Sequence, residues 1–517
     1  MSPWSVWSKR RGVTMADNQN MAGAAATPSG IEATLLDLNY RWSRGALTLW
    51  RGVGVTTDLY HIYDGLEDLL RPDTLDRIDA DPDPVRRQRL RHAFIDHYLQ
   101  NILMPHEAEM RTWMRGAAAL VGDRRVYFRD IIPWCQKEST LETRRVIQDE
   151  TGPLCKFLAP FAINYWEVLL AELTETFGFR DYIDYCGRKK GIDYAAWVEP
   201  VRELLAATDD LYFPAMDRWC RDRYDRPLSS LTRFDAIHLL SLESLDDLIP
   251  DRPFESTLKF LDTWGIDPTS MANLHLELSA DSRKSAQGMS FLVHVPDEIY
   301  VLMRPEGGWI DLETLWHELG HGLSAALTDP SLPEVDRNLA TTFSLSEAFA
   351  FLLQRVALSR PFLTEVLGLS APAVDRLRYY QTLRDLSAFR RYAAKFLSEY
   401  EMFASGHLAD GVPYARRMAR HTGFYHQPES HLFDLVPELY SLDYILGWIA
   451  EAGLEAHLIE RLGKNWMTRP EAGTILRGWW AGGGGRAIET FFDRNGLPPL
   501  SSEPLLARWR AILGSAP

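Results

Sequence analysis

The sequence predicts a mainly α-helical protein with one small β-sheet near its middle. Three observations point that way. Apolar residues recur at three- and four-residue spacing along most of the 517 residues. Short β-favouring runs gather between about residues 274 and 304. Composition, 46% hydrophobic and 25% charged, is that of an ordinary globular chain and excludes wholesale disorder.

Residues 1–30 are rich in Ser, Ala, Gly and Asn and have no sustained apolar run, so a disordered extension is expected. Lys9-Arg10-Arg11 leads into Gly12-Val13-Thr14 rather than an apolar stretch, which argues against a secretion signal. Met15-Ala16-Asp17 is a second plausible start. Residues 31–270 form a helical region, with helices expected at Thr57–Leu70, Asp83–Ile102, Leu154–Phe177, Tyr194–Ala207 and Thr257–Thr263. Asp83-Pro84 reads as an N-cap followed by proline in the first turn. The third region, 271–517, opens with runs at Leu274–Leu278, Ser290–Val295 and Glu298–Arg304, read as a small sheet, and is helical from Asp311 onward.

Charge and cysteine usage narrow the function class. Acidic residues outnumber basic ones, 71 to 56, giving a net charge of −15. No basic stripe is present, so nucleic acid is excluded as an expected partner. Cys135, Cys155, Cys186 and Cys220 lie far apart without CxxC spacing, which predicts buried reduced thiols. No run reaches the ~18 uncharged apolar residues of a membrane span. A cytoplasmic protein with no membrane partner is expected.

The chemistry concentrates in His317-Glu318-Leu319-Gly320-His321. Histidines four apart project from one helix face and can take adjacent corners of a tetrahedral Zn²⁺ site. Glu318 sits beside that face, where a carboxylate can serve as general base toward metal-activated water. Gly320 and Gly322 weaken a helix by ~1 kcal/mol each, which predicts another backbone packed close by. A catalytic zinc needs a third protein ligand, and Glu347 is the only acid in the apolar stretch Thr341–Leu353. The alternative is that Ser344 and Glu347 form a capping box. An exposed edge at Ser290–Val295 or Glu298–Arg304 would suit an extended peptide, although a structural hairpin fits equally. The stretch His421–Tyr444 holds His421, Tyr425, His426, His431, Tyr440 and Tyr444, a density of donors suited to a developing oxyanion.

Taken together, these segments resemble the gluzincin peptidases of the thimet oligopeptidase and oligoendopeptidase F group. The carriers are the His321-to-Glu347 interval with Ser346-Glu347-Ala348-Phe349, the helix Leu439-Tyr440-Ser441-Leu442-Asp443-Tyr444, and Trp479–Arg486 with its tetraglycine Gly482–Gly485. The resemblance spans roughly Leu274 to Leu506. The chain departs from it at Tyr444-Ile445, where paired tyrosines are usual, and at Glu438-Leu439-Tyr440, where His-Gly-Tyr is usual. The interval from His431 to Pro437 is also similar to angiotensin-converting enzyme.

The resemblance implies an elongated bilobed helical metallopeptidase with a deep central cleft and the small sheet next to the metal helix. It implies one Zn²⁺ per chain on His317, His321 and Glu347, with Glu318 as base in attack of zinc-bound water. Tyr440 or Tyr444, with His431, would be oxyanion donors, and short unstructured peptides the substrates. The tetraglycine would line the cleft, or serve as a plain interhelical linker. A metallocarboxypeptidase or dipeptidase is the alternative, and would need a cation such as Arg283, Lys284, Arg390 or Arg391 for the substrate carboxylate. A non-catalytic binding protein with the same fold is a further alternative.

Overall fold

Caps and breakers decide where the helices run. The computed structural model describes residues 28–54, 56–137, 139–249, 253–285 and 288–514; residues 1–27, most of the N-terminal extension, lie outside the described residues. Helix α1 (Pro28–Trp50) begins ahead of the expected boundary at Ile31, since proline suits a first helical turn. Thr56–Tyr63 is a 3₁₀ segment rather than the expected α-helix, and Gly65, at φ 80°, breaks the chain just after it. Helix α2 (Pro84–Gly116) is capped by the Asp83 side chain, which accepts from the Val85 and Arg86 N–H groups. It continues well past Ile102 despite Pro105.

An unforeseen hairpin follows, β1 (Ala118–Val121) with β2 (Arg124–Tyr127), turning at Gly122. Helix α3 (Leu141–Ala171) starts at a Thr140–Thr143 capping box, well ahead of Leu154. By length and composition alone, the span Leu141–Thr176 would suffice to cross a membrane. Its Ile147, Leu158 and Trp166 are buried in the protein, and 28% of its most apolar 18-residue stretch is buried. Helix α4 (Tyr182–Lys190) ends at Gly191, and α5 (Tyr194–Ala207) matches its expected span.

Strands β3 (Leu274–Leu278), β4 (Met289–His294) and β5 (Glu298–Met303) form a sheet of order β3-β5-β4. β5 runs parallel to β3 and antiparallel to β4. Four helices then follow, each contributing buried side chains to the core: α6 (Trp309–Ala326), α7 (Ser344–Ala357), α8 (Ala371–Ser405) and α9 (Tyr440–Leu462). α7 is apolar on nearly every face because it lies between α6 and α9. The described molecule is mainly helical. One continuous set of buried side chains runs from Ile31 to Leu513, so regions 31–270 and 271–517 share a core. All four cysteines are buried and unbridged.

The core also encloses histidines that burial keeps neutral. His97, hydrogen-bonded through Nδ1 to Tyr63 at 3.2 Å, is pushed down to about 4 by burial. The unfolded chain binds this proton near pH ~6.5 and the folded one does not, so the site's stability is lost as pH falls from ~6.5 toward 4. His97→Gln should therefore gain on the parent by about 1.4 kcal/mol per pH unit over that window. Urea denaturation of both proteins at pH 7, 6 and 5 measures it; a constant difference would contradict the assignment.

Candidate metal centre

Close approach of three helices builds the site. A Cβ on Gly320 would lie 2.4 Å from the Ala350 Cα, so only glycine lets α6 touch the backbone of α7. Gly447 does the same for α9, where a Cβ would sit 2.8 Å from the Glu347 Cβ. Gly322 instead faces the side chains of Val301 and Leu274.

Across the contact between α6 and α7, His317, His321 and Glu347 present ligand atoms within 4.8 Å of one another. His317 Nε2 lies 3.5 Å from Glu347 Oε2, and His321 Nε2 lies 3.7 Å from Glu347 Oε1. Two corners of a tetrahedron with arms of ~2.0–2.1 Å are ~3.4 Å apart, so the separations suit one small ion.

Hydrogen bonds set the tautomers. Glu313 Oε1 accepts from Gln354 Nε2 at 2.5 Å, which turns the amide oxygen of Gln354 toward His317 Nδ1 at 3.1 Å. His317 thus donates from Nδ1 and keeps a lone pair on Nε2. Glu313 is held in turn by Gln381 at 2.5 Å and by Arg384. His321 Nδ1 is bonded to Ser346 Oγ at 2.8 Å, a hydroxyl that can accept from Nδ1–H and in that arrangement leaves the Nε2 lone pair free.

Burial pushes the His317 ring down to about 4 and His321 well below its usual value, so both stay neutral. It also pushes Glu347 up to about 8, only partly offset by the Tyr440 hydrogen bond. Glu347 Oε2 is buried with no hydrogen-bond partner. The two Nε2 atoms and the orphaned carboxylate oxygen converge on one point, the arrangement of donors that a divalent cation can join. The donor set therefore fits a divalent metal ion.

Glu318 lies beside the triad, nearly buried, and desolvation pushes its carboxyl up to about 7. Ser290 Oγ donates to the Glu318 main-chain carbonyl at 2.9 Å. His317, His321, Glu347 and Glu318 line a cavity of about 1240 Å³.

The tyrosines take separate places. Tyr440 Oη donates to Glu347 Oε1 at 2.7 Å, so its hydroxyl is engaged by that carboxyl. Tyr444 lines the cavity, with ring centroids 5.1 Å from Tyr440 and 4.5 Å from Tyr392. The turn that delivers them is strained: Glu438 (φ 56°, ψ 33°) and Leu439 (φ 53°, ψ 32°) are both left-handed without being glycine. Helix α4 holds that turn. Lys189 Nζ donates to Glu438 Oε1 at 2.6 Å, Lys190 Nζ to the Glu438 carbonyl at 2.9 Å, and the Glu438 N–H to Tyr182 Oη at 2.7 Å. Lys190 also pairs with Asp443 at 2.6 Å, and Asp443 accepts from Ser344 Oγ at 2.5 Å, at the start of the helix that carries Glu347.

Several expectations are corrected here. His431 stands outside the constellation: its Nε2 faces the Leu408 carbonyl at 2.7 Å, its Nδ1 faces the Pro428 carbonyl at 2.8 Å, and it does not line the cavity. Ser344 forms no capping box with Glu347, because its hydroxyl is committed to Asp443 and Phe343 stands at the N-cap. The tetraglycine does not line the cavity; Gly484 and Gly485 pack against Ser346 and Ala340. β5 is the sheet's central strand, so of the two proposed edges only β4 is one, and Met289 to Leu292 face the cavity. Of the four candidate cations only Arg391 lines the cavity, and it is paired with Asp434. Arg283 pairs with Asp281, Lys284 donates to main-chain carbonyls, and Arg390 is buried against Asp209.

Sequence reasoning missed Gln354 and Glu313, which orient His317, and the Lys189–Lys190 clamp. A polar residue on an otherwise apolar face, as Gln354 is after Phe351-Leu352-Leu353, was the available signal. No protein-family model matches the chain, and no curated protein matches it either.

Proposed function

We propose that this protein is a zinc metallopeptidase that hydrolyses peptide bonds in short unstructured peptides, akin to the thimet oligopeptidase and oligoendopeptidase F group. The observation that carries the reading is the triad His317, His321 and Glu347, with its free Nε2 lone pairs and orphaned carboxylate oxygen, beside the buried Glu318. His317 Nε2, His321 Nε2 and the Glu347 carboxylate would hold the ion. Zinc bound there supplies Lewis acidity toward water and the scissile carbonyl oxygen.

The remaining work falls to the chain's own groups. Glu318, with a carboxyl near neutrality, takes a proton from the attacking water on a carboxylate oxygen and returns it to the leaving amine nitrogen. Tyr444, on the cavity wall, donates its hydroxyl to the developing oxyanion, while Tyr440 holds Glu347 in position. The free edge of β4 takes up substrate as an added strand, through main-chain hydrogen bonds. In this reading the cavity is the deep cleft of an elongated bilobed molecule, with the small sheet along one side of the metal helix.

A digest of a mixed peptide library, read by mass spectrometry, tests the proposal. Cleavage at internal bonds is expected in protein reconstituted with zinc, and none after chelation. A zinc-loaded protein that leaves the whole library intact would contradict it.

A further inference from the structure

One wall of the cavity carries a guanidinium that forms no ion pair among the described residues. Arg233 opens the helix Arg233–Leu239, and its backbone is pinned from both sides: its N–H donates to the Tyr425 carbonyl at 2.9 Å, and the Tyr425 N–H donates to the Leu231 carbonyl at 2.9 Å. The side chain lines the cavity half-buried. Among the described residues it makes no hydrogen bond or ion pair, and only the neighbouring Phe234 ring lies under it, at 5.2 Å. The other cations of the cavity are engaged: Arg384, Arg391 and Arg304 in ion pairs, Lys137 and Arg337 on main-chain carbonyls.

The nearby acid is Asp434: against its burial, Arg391, Lys395 and then Arg233 hold its carboxyl well below the usual carboxylate range, and its oxygens are bonded elsewhere. Asp434 is paired with Arg391 and Lys395 and accepts from Tyr414 Oη at 2.7 Å. His426, also on the wall, stays neutral. The ring pair Tyr444–Tyr392 leads to Arg391, whose guanidinium lies 5.7 Å from the Tyr392 ring centroid and acts with Arg233 on Asp434. A guanidinium always carries its charge, and its planar fork matches a carboxylate with two parallel hydrogen bonds.

We propose that Arg233 anchors a carboxylate-recognition subsite, binding either the C-terminal carboxylate or an Asp or Glu side chain of a peptide that reaches across the cavity to the metal centre. This rests on the peptide reading of the site and names its substrate class: anionic peptides, in a protein that is itself acidic.

Binding without turnover tests it. Zinc-loaded Glu318→Gln protein is mixed with octapeptide libraries in four forms: free acid or C-terminal amide, with or without Asp and Glu. Retained peptides are counted by mass spectrometry. Carboxylate-bearing peptides should be enriched about ten- to hundredfold over their neutral counterparts, the range for a charge-assisted hydrogen-bond pair. The amide arm tells a terminal carboxylate from a side-chain one. Adding Arg233→Gln should abolish the preference, Arg233→Lys should keep part of it, and Arg233→Glu should reverse it toward peptides bearing Lys and Arg, with circular dichroism of all variants matching the parent. Equal retention of all four libraries, or a preference that survives Arg233→Glu, overturns the subsite. Selective binding by a protein whose Glu318 parent cleaves no peptide would instead overturn the peptidase reading and leave the subsite standing.

Discussion

Glu318→Gln is expected to slow peptide hydrolysis by about 10²–10⁴-fold, the usual contribution of a general base, while zinc content stays unchanged. The amide keeps the shape of the carboxylate and cannot take a proton. Glu318 is only 8% exposed, and its main-chain carbonyl is held by Ser290, so the substitution removes the base without opening the site. Its side chain lies outside the three-ligand cluster, so the metal should remain. Steady-state kinetics on a cleaved library peptide, with metal analysis of the same sample, measures both halves. A variant that hydrolyses as fast as the parent would assign the proton transfer elsewhere.

Lys190→Met should cost about 3–5 kcal/mol of stability, because it strands a buried carboxylate. Lys190 and Asp443 side chains are both fully buried and 2.6 Å apart. The same ammonium holds the Glu438 carbonyl inside the left-handed turn before Tyr440. Loss of the clamp should let that turn relax and carry Tyr440 away from Glu347, so activity should fall further than the folded fraction does. Urea denaturation gives the stability, and activity per folded molecule gives the second effect. Lys190→Met with Asp443→Leu should recover part of the stability by removing the stranded charge. A single variant as stable and active as the parent would show that α4 does not position the site.

What could be read from sequence was local and periodic. His317 and His321 stand four apart, and a helix of any tertiary context places them on one face. Glu347 was legible because a lone acid in an apolar helix demands a partner. The roles that depend on distant backbone were not legible. His431 looked like an oxyanion donor until the carbonyls of Leu408 and Pro428 met its two nitrogens, contacts that only the fold creates. Tyr440 and Tyr444 occupy successive turns of one helix and both line the cavity, yet only Tyr440 bonds Glu347. The β1–β2 hairpin escaped notice because its strands are four residues long and β2 opens with two exposed arginines, Arg124 and Arg125. Which of β4 and β5 was the edge turned on β3 pairing in parallel with β5, a long-range choice that alternation of side chains does not encode.

The most direct measurement is the zinc content of the full-length chain beside that of His321→Ala and Glu347→Ala, by inductively coupled plasma mass spectrometry after equimolar loading and desalting. The ligand set predicts one zinc per chain in the parent and substantial loss from both variants, with their folds intact by circular dichroism. A parent that retains no zinc, or variants that retain it as well as the parent does, would contradict the metal centre on which the proposed activity depends.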